Sequence, residues 1–299
     1  MPVEPETHVF RTVHGCALRA DVYRPASPGP HPALLWLHGG ALIFGSRRTL
    51  RPWQAQRYRD EGYLVVAPDY RLAPETRLPD IVADVEAAWR WLHEEGAARF
   101  GVDERWTAVV GHSAGGYLAL LLATRMPIGA PVPRAVVSFY GYGDILGDWY
   151  TRPDRHYLTH PPVSAEQAQA VVGSEPVVEG PPERFHFYLR TRQQGTWPQE
   201  VGGRDPVAEA DFFRRYCPLN RVSPKSSPTL LLHGDADTDV PYEQSVLMQA
   251  ALAGAGVEAR LHTVAGGPHA FDKDGEDAVT VAAFDEVTSF LRRHLGRAR

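Results

Sequence analysis

The sequence predicts an α/β protein with a mostly parallel central sheet that is covered by helices on both faces. Short apolar segments, typical of strands that are buried on both sides, recur along the chain. Between them lie segments whose apolar residues follow a helical spacing. Strands that alternate with helices are joined by crossover connections, which make neighbouring strands parallel.

The first predicted element is a β-hairpin over residues 9–24, which turns at His14-Gly15. Leu18, Ala20 and Val22 alternate with polar residues and therefore share one face. Buried strands are then predicted at 33–37, 64–67, 107–110, 135–139, 229–232 and 259–264. Helical spacing predicts helices at 53–61, 81–92, 114–126, 243–253 and 278–294.

The alternation stops between residues 142 and 216, a stretch without a strand pattern that is longer than an ordinary loop. It is enriched in aromatic residues, which predicts that it packs against the rest of the chain. We therefore predict a core formed by residues 1–141 and 217–299, with an inserted cap over 142–216. The alternative is a structural elaboration or an oligomer contact.

Composition excludes several classes of function. The chain has 299 residues, of which 43% are hydrophobic, and 31 Lys and Arg against 36 Asp and Glu give a net charge of −5. Because it has no long basic run, a nucleic-acid partner is not expected. The N-terminus lacks the apolar region of a secretory signal, and no apolar stretch approaches the ~20 residues of a membrane span. We expect a cytoplasmic protein without a membrane partner; homo-oligomer formation stays open.

A nucleophilic serine is indicated by the sequence Gly111-His112-Ser113-Ala114-Gly115. This G-x-S-x-G pattern follows a predicted strand and opens a predicted helix, where a sharp turn exposes the serine hydroxyl. The glycines allow neighbouring backbone segments to approach closely. The amide of Ala114, at the helix N-terminus, points to a site where negative charge on oxygen would be stabilised.

A second source of such amides is the sequence His38-Gly39-Gly40-Ala41, which follows the strand at 33–37. Small residues at this position allow the amides of Gly40 and Ala41 to approach the same oxygen atom. The alternative is a glycine turn that only leads the chain away from the strand.

The general base is expected to be a histidine, since imidazole titrates near neutral pH. Of the 13 histidines, His269 follows the last predicted strand on a glycine-rich loop. For His38, His112 and His233 we expect structural hydrogen bonds. A metal site is not expected at the remaining helically spaced pair, His156 and His160, because Pro161-Pro162 follows and no carboxylate motif supports it.

The acid that orients this histidine is sought among Asp235, Asp237 and Asp239, which follow the predicted strand at 229–232. Asp237 is preferred and Asp239 comes second. A calcium loop is excluded, because Val240 and Val246 stand where such a loop needs glycine and glutamate. The resulting chain order, serine then aspartate then histidine, is that of α/β-hydrolases.

The sequence resembles the α/β-hydrolase carboxylesterases that are related to hormone-sensitive lipase. The resemblance covers the core and not the insertion, and rests on HGGA at 38–41, DYRLAPE at 69–75, GHSAGG at 111–116, HGDAD at 233–237 and GGPHAF at 266–271. It implies an α/β-hydrolase fold, Ser113 as nucleophile with Asp237 and His269 as partners, and a structural role for Asp69. His112 and Ala41 depart from the usual GDSAGG and HGGG and look more like the feruloyl-esterase, arylformamidase and oligopeptidase-like branches.

These residues predict a serine hydrolase that cleaves carboxylic esters of small to medium acyl groups. Ser113, His269 and Asp237 would form the catalytic triad, and the amides of Gly40, Ala41 and Ala114 the oxyanion hole. The expected partner is a small-molecule ester, and no metal or organic cofactor is implied. An amidase, peptidase or arylformamidase on the same fold is one alternative, and a non-catalytic ligand-binding protein is another.

Overall fold

The computed structural model describes residues 4–125 and 131–296. In this part of the chain one sheet has the strand order β1-β2-β4-β3-β5-β6-β7-β8. β2 pairs antiparallel with β1 and β4, and every other pairing in the sheet is parallel. The strands are β1 Glu6–Val13, β2 Cys16–Tyr23, β3 His31–Leu37, β4 Leu64–Pro68, β5 Val102–His112, β6 Val136–Phe139, β7 Thr229–Gly234 and β8 Ala259–Val264.

Helices cover the sheet and fill the connections between its strands. They are α1 Pro52–Asp60, α2 Leu78–Glu94, α3 Gly96–Phe100, α4 Ala114–Arg125, α5 Asp148–Thr151, α6 Ala165–Gln169, α7 Phe185–Gln194, α8 Trp197–Gly202, α9 Ala210–Arg214, α10 Glu243–Gly254 and α11 Ala278–Leu295. The helix predicted over 114–126 is described as far as Arg125, and Met126 lies outside the described residues. Within the described ranges, no helix is long and apolar enough to cross a membrane.

The hairpin and strand predictions hold, with small shifts in several bounds and the largest difference at β5. The β1–β2 turn places both His14 and Gly15 at positive φ, which suits a tight hairpin. Strand β5 begins at Val102, five residues before the predicted start at Thr107. Its first half contains exposed Glu104 and Arg105, so the apolar pattern does not report it, although Val102 at its start pairs with His31 of β3.

The two faces of the sheet bury separate hydrophobic clusters. Along β3 the side chains alternate, so that Leu35 belongs to one cluster and Leu34 to the other. Helices α2, α4 and α10 cover the first face, with Trp89 fully buried. Helices α1 and α11 cover the second face, with Phe290 fully buried. This arrangement confirms the predicted α/β sheet with helices on both sides.

Residues 142–216, called the inserted segment below, connect β6 to β7 and contain α5 to α9. All of them are described, and they form no strand apart from one isolated bridge between Gly45 and Gly180. Tyr150, Trp197 and Phe213 are buried and join the first cluster. The aromatic residues of the segment therefore pack, while a role as a cap over substrate stays a prediction.

Parallel strands direct their carboxyl ends to one edge of the sheet, where ligands bind in open α/β folds. The connections that leave β3, β5, β7 and β8 at this edge carry the residues singled out from the sequence: Gly40 and Ala41, Ser113 and Ala114, Asp237, and His269. The topology therefore explains how residues that are far apart in sequence can meet.

Candidate active site

Ser113 lies at the sharp turn between β5 and α4, with φ +54. A left-handed conformation costs a residue with a Cβ atom about 1–2 kcal/mol, so the surroundings must hold it. The Ser113 amide donates to the Phe139 carbonyl (2.8 Å), and the Ser113 carbonyl accepts from the Tyr117 amide (3.0 Å). These bonds fix the turn from both sides and leave the hydroxyl exposed to the cavity.

The two glycines of the motif are required by close backbone contacts. A Cβ atom on Gly111 would lie 2.0 Å from the carbonyl oxygen of Gly115. A Cβ atom on Gly115 would lie 2.0 Å from the carbonyl oxygen of Leu37, at the end of β3. The G-x-S-x-G spacing therefore packs the start of α4 directly against the neighbouring strand.

His269 lies between Ser113 and Asp237. Its Nε2 is 3.2 Å from Ser113 Oγ, and its Nδ1 is 2.7 Å from Asp237 Oδ2. In the neutral tautomer that suits both contacts, Nδ1–H donates to the carboxylate and Nε2 accepts from the serine hydroxyl. About one-fifth of the His269 side chain is exposed, so the imidazole also borders the open cavity.

The Asp237 carboxylate is fully buried and surrounded by donors. Oδ1 accepts from the amides of Asp239 (2.8 Å) and Val240 (2.9 Å), and Oδ2 lies 3.2 Å from His233 Nε2. Burial by itself would raise the pKa of Asp237, but the contacts with His233 and His269 outweigh it and hold that pKa well below its usual range. The carboxylate is therefore ionised and oriented toward His269.

The other two aspartates of this loop have different positions. Asp235 Oδ1 accepts from the Gly266 amide (2.6 Å) and so stabilises a turn. Asp239 Oδ2 lies 3.5 Å from His269 Nε2, the nitrogen that also faces Ser113. Burial lowers the pKa of His269, but the carboxylates of Asp239 and Asp237 outweigh this effect and raise it above its usual value.

Asp239 itself is paired with the inserted segment. Arg192 Nη1 donates to Asp239 Oδ1 (2.8 Å), and the Tyr188 hydroxyl donates to the same oxygen. Arg192 is buried, and the second terminal nitrogen of its guanidinium group, Nη2, donates to Asp154 Oδ2 (2.7 Å). Sequence reasoning missed Arg192, because no local pattern links it to a loop 47 residues away.

The connection after β3, residues 39–45, is called the glycine loop below. Gly40, Ala41 and Leu42 have φ values of +109, +54 and +63. The carbonyl of Gly39 accepts from His38 Nδ1 (2.7 Å), and the carbonyl of Gly40 accepts from the Ile43 amide (2.8 Å). Each bond holds a carbonyl in place and thereby fixes the direction of the amide in the same peptide plane.

The amides of Gly40, Ala41 and Ala114 are the three candidate oxyanion donors. In the part of the chain that the structure describes, none of these amides donates to a backbone or side-chain acceptor. Gly40 and Ala41 line the same cavity as Ser113, and Ala114 follows Ser113 in the chain, so their open amides are candidate donors to a negative oxygen. His38, which supports this loop, is neutral because burial lowers its pKa to about 4.

A cavity of about 270 Å³ opens above Ser113. Gly40, Ala41, Asp239 and His269 line it together with the aromatic side chains of Trp36, Phe44 and Tyr140. Its volume lies near the lower end of the ~300–1,000 Å³ that is typical of small-molecule sites. Among the described residues, no group of three or more His, Cys, Asp or Glu side chains is arranged to hold a metal ion.

A buried carboxylate behind the cavity was not anticipated from the sequence. Asp272 Oδ2 lies 3.1 Å from His112 Nε2 and accepts from Gln54 (2.7 Å) and Arg51 (3.3 Å). Asp272 Oδ1 accepts from the Tyr140 hydroxyl (2.6 Å). Burial would raise the pKa of Asp272, yet these donors hold it well below its usual range. The expected hydrogen bond of His112 is not formed: Nε2 lies close to the Asp272 carboxylate, but not in hydrogen-bond geometry.

The BD-FAE family model matches residues 20–252, which include the glycine loop, Ser113, the inserted segment and Asp237. The chain belongs to the BD-FAE family. This is a family of α/β-hydrolase-like esterases, and the match confirms the predicted membership of that superfamily. The match ends before His269, so the assignment of that residue depends on its contacts in the structure.

This BD-FAE protein is also similar to parts of much longer proteins. It is 29% identical to the non-reducing polyketide synthase ausA of Aspergillus calidoustus and 30% identical to that of Emericella nidulans. Each alignment covers 98% of this chain and 14% of the synthase. The chain therefore spans about one-seventh of the length of these curated relatives.

Solved structures confirm the α/β-hydrolase fold. An α/β-hydrolase superfamily protein from Enterococcus faecalis superposes with a TM-score of 0.78 at 22% identity, over 98% of this chain and 100% of that chain. Thermogutta terrifontis esterase 2, phosphorylated by paraoxon, gives a TM-score of 0.70 at 21% identity, over 100% of this chain and 97% of that chain. Its butyrate-bound form gives a TM-score of 0.68 at 24% identity, over 99% of this chain and 96% of that chain.

Proposed function

We propose that this BD-FAE protein is a serine hydrolase that cleaves carboxylic esters of small to medium acyl groups through a Ser113 acyl-enzyme. The observation that carries the proposal is the continuous series of contacts from Asp237 Oδ2 through His269 to Ser113 Oγ, with spacings of 2.7 and 3.2 Å. A serine hydroxyl is a weak nucleophile unless an oriented base takes its proton. Here the ionised carboxylate orients the imidazole.

Acylation begins when His269 Nε2 takes the proton of Ser113 Oγ as that oxygen attacks the ester carbonyl. The carbonyl oxygen becomes an oxyanion, which the open amides of Gly40, Ala41 and Ala114 receive. The imidazolium then gives its proton to the departing alcohol as the bond between carbonyl carbon and alcohol oxygen breaks. Ionised Asp237 stabilises the imidazolium throughout this step.

Deacylation repeats the same proton transfers with water. His269 takes a proton from a water molecule, which attacks the Ser113 ester through a second oxyanion. The carboxylic acid leaves as Ser113 recovers its proton. The small cavity and its aromatic walls support an acyl group of modest size.

Two properties of similar proteins support this proposal. Thermogutta terrifontis esterase 2 is phosphorylated by paraoxon, and its structures also contain butyrate and propionate. An organophosphate that phosphorylates an esterase reacts with a nucleophilic group, the role proposed here for Ser113. Amidase and arylformamidase activity would need the same triad, so a substrate panel must separate them from esterase activity.

The test compares Ser113→Ala with the wild-type protein on p-nitrophenyl acetate and butyrate, N-formylaniline and an aminoacyl anilide. We expect hydrolysis of the p-nitrophenyl esters to fall at least about 10⁴-fold in the variant. Paraoxon should add one diethylphosphoryl group to the wild type and none to the variant, as measured by intact mass. The matched control is Ser174→Ala at an exposed serine of the inserted segment. Undiminished ester hydrolysis by Ser113→Ala contradicts the proposal.

A further inference from the structure

We infer that the inserted segment is part of the catalytic apparatus and that Trp197 is a positioning residue for the oxyanion amides. This inference rests on the proposed function, because it concerns the same oxyanion site. Trp197 Nε1 donates a hydrogen bond of 3.0 Å to the carbonyl of Ala41, across 156 residues of sequence. Through this bond the segment would influence the rate of the proposed chemical step.

The glycine loop needs such an external restraint because its conformation is intrinsically unfavourable. Ala41 and Leu42 are consecutive residues with Cβ atoms and left-handed φ values of +54 and +63. Steric contact between Cβ and the backbone disfavours this region for every residue except glycine. Without tertiary contacts, the peptides on either side of Ala41 would relax toward ordinary conformations and carry the Ala41 amide with them.

Three groups of the inserted segment bind the carbonyls of this loop. Trp197 binds Ala41, Arg184 Nε donates to the Ile43 carbonyl (2.6 Å), and the Gly180 amide donates to the Gly45 carbonyl (3.1 Å). The core adds one further bond, from the Ala73 amide to the Leu42 carbonyl (2.8 Å). Each of these bonds directs a carbonyl away from the loop's own amides.

The donors from the inserted segment are themselves held in place. Trp197 is fully buried, and its indole stacks on Tyr150 with ring centroids 4.2 Å apart and an interplanar angle of 7°. Arg184 is 3% exposed and donates twice to the fully buried carboxylate of Glu75, at 2.8 and 2.7 Å. Donors that are fixed in this way can hold the loop at one geometry.

The Ala41 carbonyl is the critical acceptor because it is adjacent to an oxyanion donor. If the peptide between Ala41 and Leu42 rotated, its carbonyl could turn toward the cavity, where a negative oxygen is expected during the reaction. The negative end of that carbonyl dipole would then repel the oxyanion that the neighbouring Ala41 amide is proposed to receive. Binding of the ground-state ester depends less on this geometry than its transition state does.

The experiment replaces Trp197 by phenylalanine, which keeps an aromatic ring beside Tyr150 but removes the Nε1–H donor. The matched control is Trp149→Phe. Trp149 stacks on the same tyrosine with centroids 3.5 Å apart, and its Nε1 donates to the Asp144 carbonyl (3.1 Å) and not to the glycine loop. The assays are kcat and KM on p-nitrophenyl butyrate, inhibition by an alkyl trifluoromethyl ketone that forms a tetrahedral adduct, and the melting temperature.

For Trp197→Phe we expect kcat to fall about 10- to 100-fold while KM changes less than about twofold. The trifluoromethyl ketone should bind more weakly by the same factor as kcat/KM falls, since both report the tetrahedral state. Trp149→Phe should retain wild-type kcat. A kcat for Trp197→Phe equal to that of the control overturns the inference, as does a loss of stability without a loss of kcat.

Two further variants separate a failure to fold from a failure of the inference, and a failure of the inference from a failure of the proposed function. If Trp197→Phe does not fold, Arg184→Lys takes its place. This variant keeps a positive charge beside Glu75 but removes the bond to the Ile43 carbonyl. We expect the same fall in kcat at nearly constant KM. A wild-type kcat in Arg184→Lys then overturns the inference. Activity that survives in Ser113→Ala would instead contradict the proposed function itself.

Discussion

Replacing Asp272 by asparagine tests whether a buried, ionised carboxylate stabilises the fold next to the turn at Ser113. The side chain has no solvent exposure; Oδ2 accepts from Arg51 and Gln54, and His112 Nε2 lies 3.1 Å from the same oxygen. The Tyr140 hydroxyl binds the other oxygen, and its ring lies against His269 with centroids 4.7 Å apart. Asp272 lies on the loop after β8. Its carboxylate thus binds α1 through Gln54 and contacts Tyr140 and His112, which line the cavity.

The size of the effect follows from these contacts. Asparagine has nearly the same shape and can present its carbonyl oxygen to Arg51 and Gln54, but it carries no charge. A hydrogen bond to a charged group contributes about 1.5–3 kcal/mol and one between neutral groups about 0.5–1.5 kcal/mol. A loss of about 1 kcal/mol at each of the three donors, Arg51, Gln54 and Tyr140, lowers the free energy of unfolding by about 3 kcal/mol. For a chain of this length that is a fall in Tm of about 5 °C.

The pKa of Asp272 determines the pH range in which its charge stabilises the folded protein. The pKa of Asp272 is held well below its usual range in the folded protein and lies near 3.9 in the unfolded chain. A lowered folded-state pKa contributes stability that is fully present above the unfolded value and is lost as the pH falls through the folded one. The difference in Tm between wild type and Asp272→Asn should therefore be constant from pH 7 to 5 and narrow below about pH 4.

Thermal unfolding by circular dichroism at several pH values measures this difference. The control is Asp285→Asn, at a carboxylate that is 64% exposed and paired with Arg57 on the surface. An exposed pair contributes little, so the control should change the free energy of unfolding by less than about 0.5 kcal/mol. A Tm for Asp272→Asn within 1 °C of the wild type would refute the role that we derive for the buried charge.

Two further predictions concern His269, the proposed base, and the turn that carries Ser113, the proposed nucleophile. Because the carboxylates of Asp239 and Asp237 raise the pKa of His269, kcat/KM should fall on acidification at a higher pH than for an ordinary imidazole. Asp239→Asn should move this acidic fall of kcat/KM to lower pH. An unchanged pH profile would contradict the effect of the Asp239 carboxylate on His269. Gly115→Ala should give little folded protein by circular dichroism, because its Cβ would lie 2.0 Å from the Leu37 carbonyl oxygen. Gly254→Ala, with open space around the new Cβ, should fold normally.

The fold was largely predictable because each buried strand carries its own apolar pattern. All six predicted buried strands occur in the sheet, and the G-x-S-x-G turn lies between β5 and α4 as expected. The start of β5 was wrong by five residues, since Glu104 and Arg105 face solvent while their backbone still belongs to the strand. Sequence patterns report which residues are buried, and exposed ends of strands leave no such mark.

The candidate site was predictable where its chemistry depends on a residue type in a local motif. Asp237 and His269 could be selected because each follows a strand on a loop, and the structure brings both to Ser113. Arg192 and Trp197 could not be selected, because their importance lies in contacts across 47 and 156 residues. Within the inserted segment they look like ordinary buried residues, and only the fold shows what they bind.

Both elements that would act on the reacting carbonyl are in contact with the inserted segment. Arg192 holds the carboxylate beside His269 Nε2, and Trp197 holds the carbonyl next to the Ala41 amide. A segment that only covered substrate could change in sequence and length without affecting the base or the oxyanion amides. Here a change that moves α7 or α8 also moves a charge near the base or a donor on the glycine loop. Through these two contacts the inserted segment would affect the proposed chemical step itself.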